Sequence, residues 1–185
     1  MFPPPLHPAR IARRTARGIT MVEALVCLAI LAVLAGLAAP SFHHALQKQR
    51  IAAVRTELTT ALQWVRWEAL RRNATVSLAR REDCGLLLRS ADEWHCGWDI
   101  VATGPEHERE VLQRFELHHG LHLVHPGGGA TLAYARSGQP AQVAHKFVVG
   151  LPADTSLGVA TTSHAITLCM NRTGRVRTIE GQTSC

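Results

Sequence analysis

The chain has little aromatic character and almost no lysine: aromatics make up 5% of its 185 residues, and only Lys48 and Lys146 stand among 20 basic side chains. An arginine bias of this kind follows from GC-rich coding and needs no function to explain it. Local catalytic signatures are also missing. No His-Glu-x-x-His, Gly-x-Ser-x-Gly or nucleotide fingerprint occurs, so no zinc hydrolase site, nucleophile elbow or dinucleotide site is written in one stretch. Gly127-Gly128-Gly129 lacks the Lys and Ser/Thr of a phosphate loop and reads as a flexible turn. No CxxC spacing marks a metal site. No long helical period follows residue 73, which excludes a parallel sheet built from βαβ units. The length excludes a large multidomain enzyme. The expectation is a chain with no enzyme activity, no cofactor and no metal.

The excess of positive charge is local. Formal net charge is +6, yet residues 1–18 hold Arg10, Arg13, Arg14 and Arg17 without one acid, and the remainder carries 16 basic against 14 acidic side chains. The high pI therefore describes a leader and not a nucleic-acid-binding domain.

What the chain does have is an aliphatic run. Sixteen residues from Ala24 to Ala39 carry no charge, and Ile19 to Val22 extend the run across one carboxylate, Glu23. From Ile19 to Phe42 the segment is long enough to span a bilayer as a helix. A cleaved secretory signal would be cut after Leu37-Ala38-Ala39, leaving Pro40 first, and places Glu23 where such signals are basic or apolar. A plain signal anchor fits the arginine flank, with residues 1–18 cytoplasmic and the rest outside, but leaves Glu23 as no more than a hydrated interfacial group.

Beyond Pro40 the pattern turns amphipathic. Phe42, Leu46, Val54, Leu58, Ala61, Leu62, Val65 and Ala69 recur at helical spacing, predicting a helix to about Arg72 with Asn73 as its C-terminal cap. Pro40 should kink or loosen it. The polar side, with Lys48, Arg50, Arg55, Arg66, Arg71 and Arg72 against Glu57 and Glu68, reads as a solvated face. Trp64 and Trp67 are expected to share a face and pack in the core. After Asn73 the period becomes two. Candidate strands are 75–79, 85–88, 98–101, 110–117, 121–124, 131–135, 146–149, 165–170 and 175–179, giving an antiparallel sheet or sandwich packed on the helix.

Five cysteines include Cys27 in the aliphatic run. The other four allow three pairings, of which the sequential one, Cys84 with Cys96 and Cys169 with Cys185, is expected in an oxidising periplasm; metal binding is the alternative. His118, His119, His122 and His125 cluster near the triple glycine and are expected to be surface side chains, because strand alternation splits them between two faces.

Gly18-Ile19-Thr20-Met21-Val22-Glu23, then an aliphatic stretch, then Ala39-Pro40-Ser41-Phe42, resembles the class III signal of type IV pilins and pseudopilins. The resemblance implies cleavage between Gly18 and Ile19 by a prepilin peptidase, N-methylation of Ile19, and retention of the aliphatic segment in the mature protein. It also implies a role for Glu23, neutralising the N-terminal ammonium of a neighbouring subunit during assembly.

Later stretches are similar to the GspH/FimT branch: Ala61 to Asn73 resembles its helix end, with Trp67 where that family has Ser, and Gly97-Trp98-Asp99-Ile100, Tyr134 to Pro140 and Gly174-Arg175-Val176-Arg177 resemble its later motifs. The implied fold is α+β and type IV pilin-like: a basic leader (1–18), a membrane-spanning and assembly half of the N-terminal helix (19–42), an amphipathic half (43–73) and a β-rich periplasmic head (74–185). The implied partners are other pilins or pseudopilins through the helix, the prepilin peptidase and inner-membrane lipid. The implied role is a non-enzymatic minor subunit of a type IV pilus or a type II secretion pseudopilus. The alternative is capture of double-stranded DNA, without sequence preference, by Arg172, Arg175 and Arg177.

Overall fold

The computed structural model describes residues 18–88, 90–104, 106, 108–118, 120–142, 145–152, 165–182 and 184–185, with side chains 37–41 also left undescribed. The basic leader before Gly18 and His119 lie outside them. The chain divides into two units, Met1–His43 and His44–Cys185.

Among the described residues, the helix α1 (Met21–Arg72) is followed by eight strands: β1 (Thr75–Arg80), β2 (Trp98–Thr103), β3 (Arg109–Phe115), β4 (His122–Val124), β5 (Thr131–Tyr134), β6 (His145–Gly150), β7 (Ile166–Met170) and β8 (Val176–Glu180). Helical backbone includes Pro40. In the first unit every described side chain is exposed. Among the described residues, no helix is long and apolar enough to cross a membrane.

In the second unit α1 buries Ile51, Val54, Leu58, Ala61, Leu62, Val65 and Ala69, a stripe at three- and four-residue spacing. Phe42 stays exposed and Leu46 is half-buried, so the packed face begins later than periodicity suggests. The helix ends as its sequence dictates. Asn73 takes φ +49°, its amide bonds the Leu70 carbonyl at 3.3 Å, and the Ala74 amide bonds Ala69 at 3.2 Å, the paired bonds of a Schellman cap.

The strands form two antiparallel sheets, ordered β3-β2-β1-β5 and β4-β6-β7-β8. Both sheets and the helix stripe contribute to one core, with Val76, Leu78, Trp98 and Ile100 from the first sheet and Leu123, Phe147, Val149 and Leu168 from the second. Full burial of each such aliphatic or aromatic side chain is worth about 1.5–3 kcal/mol. Tyr134 on β5 donates its hydroxyl to Met170 Sδ on β7 at 3.1 Å, joining the sheets, and burial pushes its phenol up to about 12.

Residues 85–88 are not a strand. Gly85 sits at φ +73° directly after Cys84, which is disulfide-bonded to Cys96 with 5.3 Å between Cα atoms; the pair closes a loop between β1 and β2 and leaves Leu86 and Leu87 exposed. A second bridge joins Cys169 on β7 to Cys185 with Cα atoms 5.8 Å apart, while Cys27 is free.

Candidate functional site

The start of α1 is built by a local rule. Thr20 accepts a hydrogen bond on Oγ1 from the Glu23 amide at 3.2 Å, and its carbonyl accepts from Ala24 at 3.1 Å, so Thr20 is the N-cap and Glu23 the third helical residue. Thr-x-x-Glu is the sequence spacing of such a helix start, a signal overshadowed by the hydrophobic run that follows. Glu23 thus lies in the first turn, where the helix dipole favours a carboxylate. Gly18 and Ile19 precede the helix and are exposed, and a Cβ on Gly18 would meet nothing within 4 Å. From Met21 to Leu34 the large apolar side chains are exposed. Pro40's side chain lies outside the described residues.

The far end of α1 is clamped and not merely solvated. Glu68 is buried and accepts hydrogen bonds from Arg71 at 2.8 Å and Arg72 at 2.9 Å; the Arg71 bond leads in holding its carboxyl below the usual range. Arg72 continues to Glu110 on β3 at 2.6 Å, and Arg66 donates to the Thr173 carbonyl at 3.1 Å in the β7–β8 turn. Trp64 packs partly against the core, but Trp67 is 70% exposed, which corrects the expectation that both tryptophans are buried.

Arg172, Arg175 and Arg177 are all exposed, each in its own local setting. Arg172 lies in the turn whose loop amides at Thr173 and Arg175 bond Asn171 Oδ1 at 3.1 and 2.9 Å. Arg175 lines a cleft with Arg66 and Trp67, and Arg177 donates to the Cys185 carbonyl at 3.0 Å.

The histidines divide in a way alternation did not reveal. His118 is exposed, but His122 is half-buried and stacks on His95 with ring centroids 3.9 Å apart. His125 is fully buried, against the surface expectation, between Phe147 and Trp94. Its ring fills the space beside Gly128, which is why that position has no side chain. Burial lowers the affinity of all four of His95, His122, His125 and His145 for a proton, taking His125 to about 4. Among the described residues, no group of three or more His, Cys, Asp or Glu is arranged to hold a metal ion.

The fold is similar to that of the type IV minor pilin FimU of Pseudomonas aeruginosa (15% identity, 75% of this chain and 92% of that one, TM-score 0.54). It is also similar to the minor pseudopilin EpsH of the Vibrio cholerae type 2 secretion system (12% identity, 72% and 98%, TM-score 0.51). No curated protein shows significant similarity to the chain. Residues 13–39 match the prokaryotic N-terminal methylation motif, and residues 54–184, most of the chain, match the model of the type II transport protein GspH, so the chain belongs to the GspH family.

Proposed function

We propose that this chain is a minor subunit of a type IV pilus or a type II secretion pseudopilus, a structural and not a catalytic component. The observation that carries the reading is the exposed apolar surface from Ile19 to Leu34, starting at a capped helix with a carboxylate in its first turn. A continuous apolar surface of this kind requires lipid or other subunits to cover it.

In this reading residues 19–42 hold the chain in the inner membrane and then pack among neighbouring helices, with the leader cytoplasmic and the head periplasmic. A prepilin peptidase cuts between Gly18 and Ile19, and Ile19 becomes the N-methylated terminus. The new ammonium then lies beside a helix N-terminus, where the dipole disfavours positive charge. Glu23 of a neighbouring subunit offsets it, and the pairing reduces the cost of burying both charges among apolar helices.

Mass spectrometry of the membrane-purified protein tests the processing step, with methylated Ile19 as the expected first residue. Glu23→Ala should retain cleavage while the protein disappears from sheared filaments. A first residue at Pro40, or unchanged incorporation of the variant, would overturn the reading.

DNA capture is the second reading. It rests on the exposure of Arg172, Arg175 and Arg177, none of which pairs with an aspartate or glutamate among the described residues, although Arg177 is held by the Cys185 main-chain oxygen.

A further inference from the structure

Each sheet of the head has two outer strands, and three of these four edges are blunted. β4 is bridged by Glu93 at Val124 and β5 by Pro140 at Tyr134. β3 is interrupted by a bulge opposite Ile100 and Val101 that leaves Leu112 without a register partner. β8 has no such device. Its register against β7 runs unbroken from Val176 to Glu180, without proline or lysine. The two ends of that ladder show which of its peptide groups are open. Beyond one end the Asn171 amide bonds the Arg175 carbonyl at 3.1 Å, and beyond the other the Gly181 amide bonds the Ala165 carbonyl at 2.9 Å. Bonded and non-bonded pairs alternate along an antiparallel ladder, so Arg177 and Ile179 turn both backbone groups toward β7, whereas Val176, Thr178 and Glu180 turn theirs away. Among the described residues those outward groups meet no backbone partner.

The open edge borders α1. A cleft of about 490 Å³ lies between the helix and the start of β8, lined by Leu62, Arg66 and Trp67 from the helix and by Arg175 and Val176. Another, of about 290 Å³, lies between the helix and the end of β8, lined by Lys48, Ile51 and Arg55 from the helix and by Glu180. Val176 and Glu180 are four residues apart, about 13 Å of strand, so side chains four apart on an added strand reach both clefts. The lining is basic, with Lys48, Arg55, Arg66 and Arg175 against Glu180, and none of the five is in an ion pair among the described residues.

We propose that β8 takes up an extended, acid-rich segment of another protein as an added antiparallel strand, with the segment's apolar side chains in the two clefts and its carboxylates beside the basic side chains. In this mode main-chain bonds along the edge supply affinity and the clefts select side chains. The outward groups of β8 offer donors and acceptors together, which suits a peptide. Phosphates only accept, and would leave the β8 carbonyls bare. The charges oppose a second copy, because edge-to-edge pairing would bring two basic grooves together. This chain's own Asp83, Glu110 and Glu116 are engaged by Arg81 and Arg72. The surface lies wholly in the second unit and does not depend on the helix-mediated assembly proposed above.

Hydrogen exchange of the nitrogen-15-labelled full chain in detergent micelles, followed by NMR, tests this amide by amide. In the free chain the Arg177 and Ile179 amides should exchange slowly and those of Val176, Thr178 and Glu180 fast. The probe is a capped seven-residue peptide in which aspartate alternates with valine. At saturation it should slow the three outward amides by about tenfold or more, the effect of two or three new hydrogen bonds. N-methylation of its valines, whose amides face β8 when their side chains enter the clefts, should weaken binding by about tenfold or more while keeping every charge; N-methylation of its aspartates should not. A peptide with lysine in place of aspartate should not bind. Thr178→Pro removes an outward donor and no bond to β7, so the Phe147 and Val149 amides should stay protected while peptide binding is lost. Slow Thr178 exchange in the free chain, no slowing by the aspartate peptide, or equal binding of the valine-methylated or lysine peptide would each overturn the proposal. Slowing of the three amides on raising the protein concentration alone would give the edge to a second copy. A short DNA duplex that shifts the same resonances at lower concentration than the peptide would give the groove to nucleic acid; either result rejects the acidic strand.

Discussion

Nδ1 of His145 lies 2.9 Å from Nε2 of His125, and both rings are sealed in the core. The other nitrogen of His125, Nδ1, faces the Gly129 carbonyl at 3.1 Å. A carbonyl only accepts, so His125 carries its proton on Nδ1 and must accept at Nε2 from His145. In the neutral pair His145 Nε2 is then unprotonated, and it has no side-chain partner among the described residues. Both rings cannot be protonated at once, because two N–H groups would then face each other, and burial disfavours a charge on either.

Acid should therefore destabilise the head. Burial, with His145 adding to it against the pull of the Gly129 carbonyl and Asp92, holds His125 down at about 4, whereas an unfolded histidine titrates near 6.5. The unfolded state binds more protons between those values, so stability is complete above the unfolded value and falls with pH until the folded one is reached. His125 alone should cost about 2 kcal/mol between pH 7 and pH 5, and the lowered His95, His122 and His145 act with the same sign. Urea unfolding followed by tryptophan fluorescence measures this; His125→Gln should start less stable and show a shallower pH slope.

The two bridges close separations of 12 and 16 residues, and each should contribute about 3 kcal/mol. Before reduction one thiol per chain, Cys27, should be titratable under denaturing conditions. Cys185→Ser should release the last residues from β7 and lower the urea midpoint without unfolding β6 and β7, whose pairing does not involve the tail.

Gly97 and Gly120 both adopt positive φ, but only Gly97 is crowded. A Cβ there would collide with the Phe115 carbonyl oxygen and approach the Leu117 amide, because β2 begins directly against the end of β3. Gly97→Ala should cost more than about 2 kcal/mol, and Gly120→Ala, which meets open space, about 1 kcal/mol. Equal urea midpoints for the two variants would show that backbone conformation, and not the close approach, sets the cost.

If the exposed arginines grip DNA phosphates, binding by the chain should show no sequence preference and a log-log salt slope of about −2 to −3. Arg175→Gln with Arg177→Gln should flatten that slope by roughly two units, because each lost phosphate contact releases about one fewer counterion. Absence of binding at low salt would leave the structural role alone.

The sequence by itself determined what depends on neighbours along the chain. The α1 stripe from Val54 to Ala69, the Asn73 cap and most of the strand positions follow from local period and cap chemistry, and the leader-glycine-glutamate pattern points to the family without reference to the fold. Sequential pairing of the cysteines was also the simplest choice from spacing. Tertiary structure decided what depends on distant partners. Residues 85–88 have a strand-like composition, but the Cys84–Cys96 bridge and Gly85 hold them as a loop. Trp67 and Trp64 share one helix, yet the sheets cover only one of them. His125 reads as a surface residue beside three glycines; it is buried because Gly128 leaves room for its ring and Phe147, 22 positions later, stacks on it at 4.1 Å. Alternation assigns a side chain to one of two faces, but which face is covered is set by elements far away in the chain.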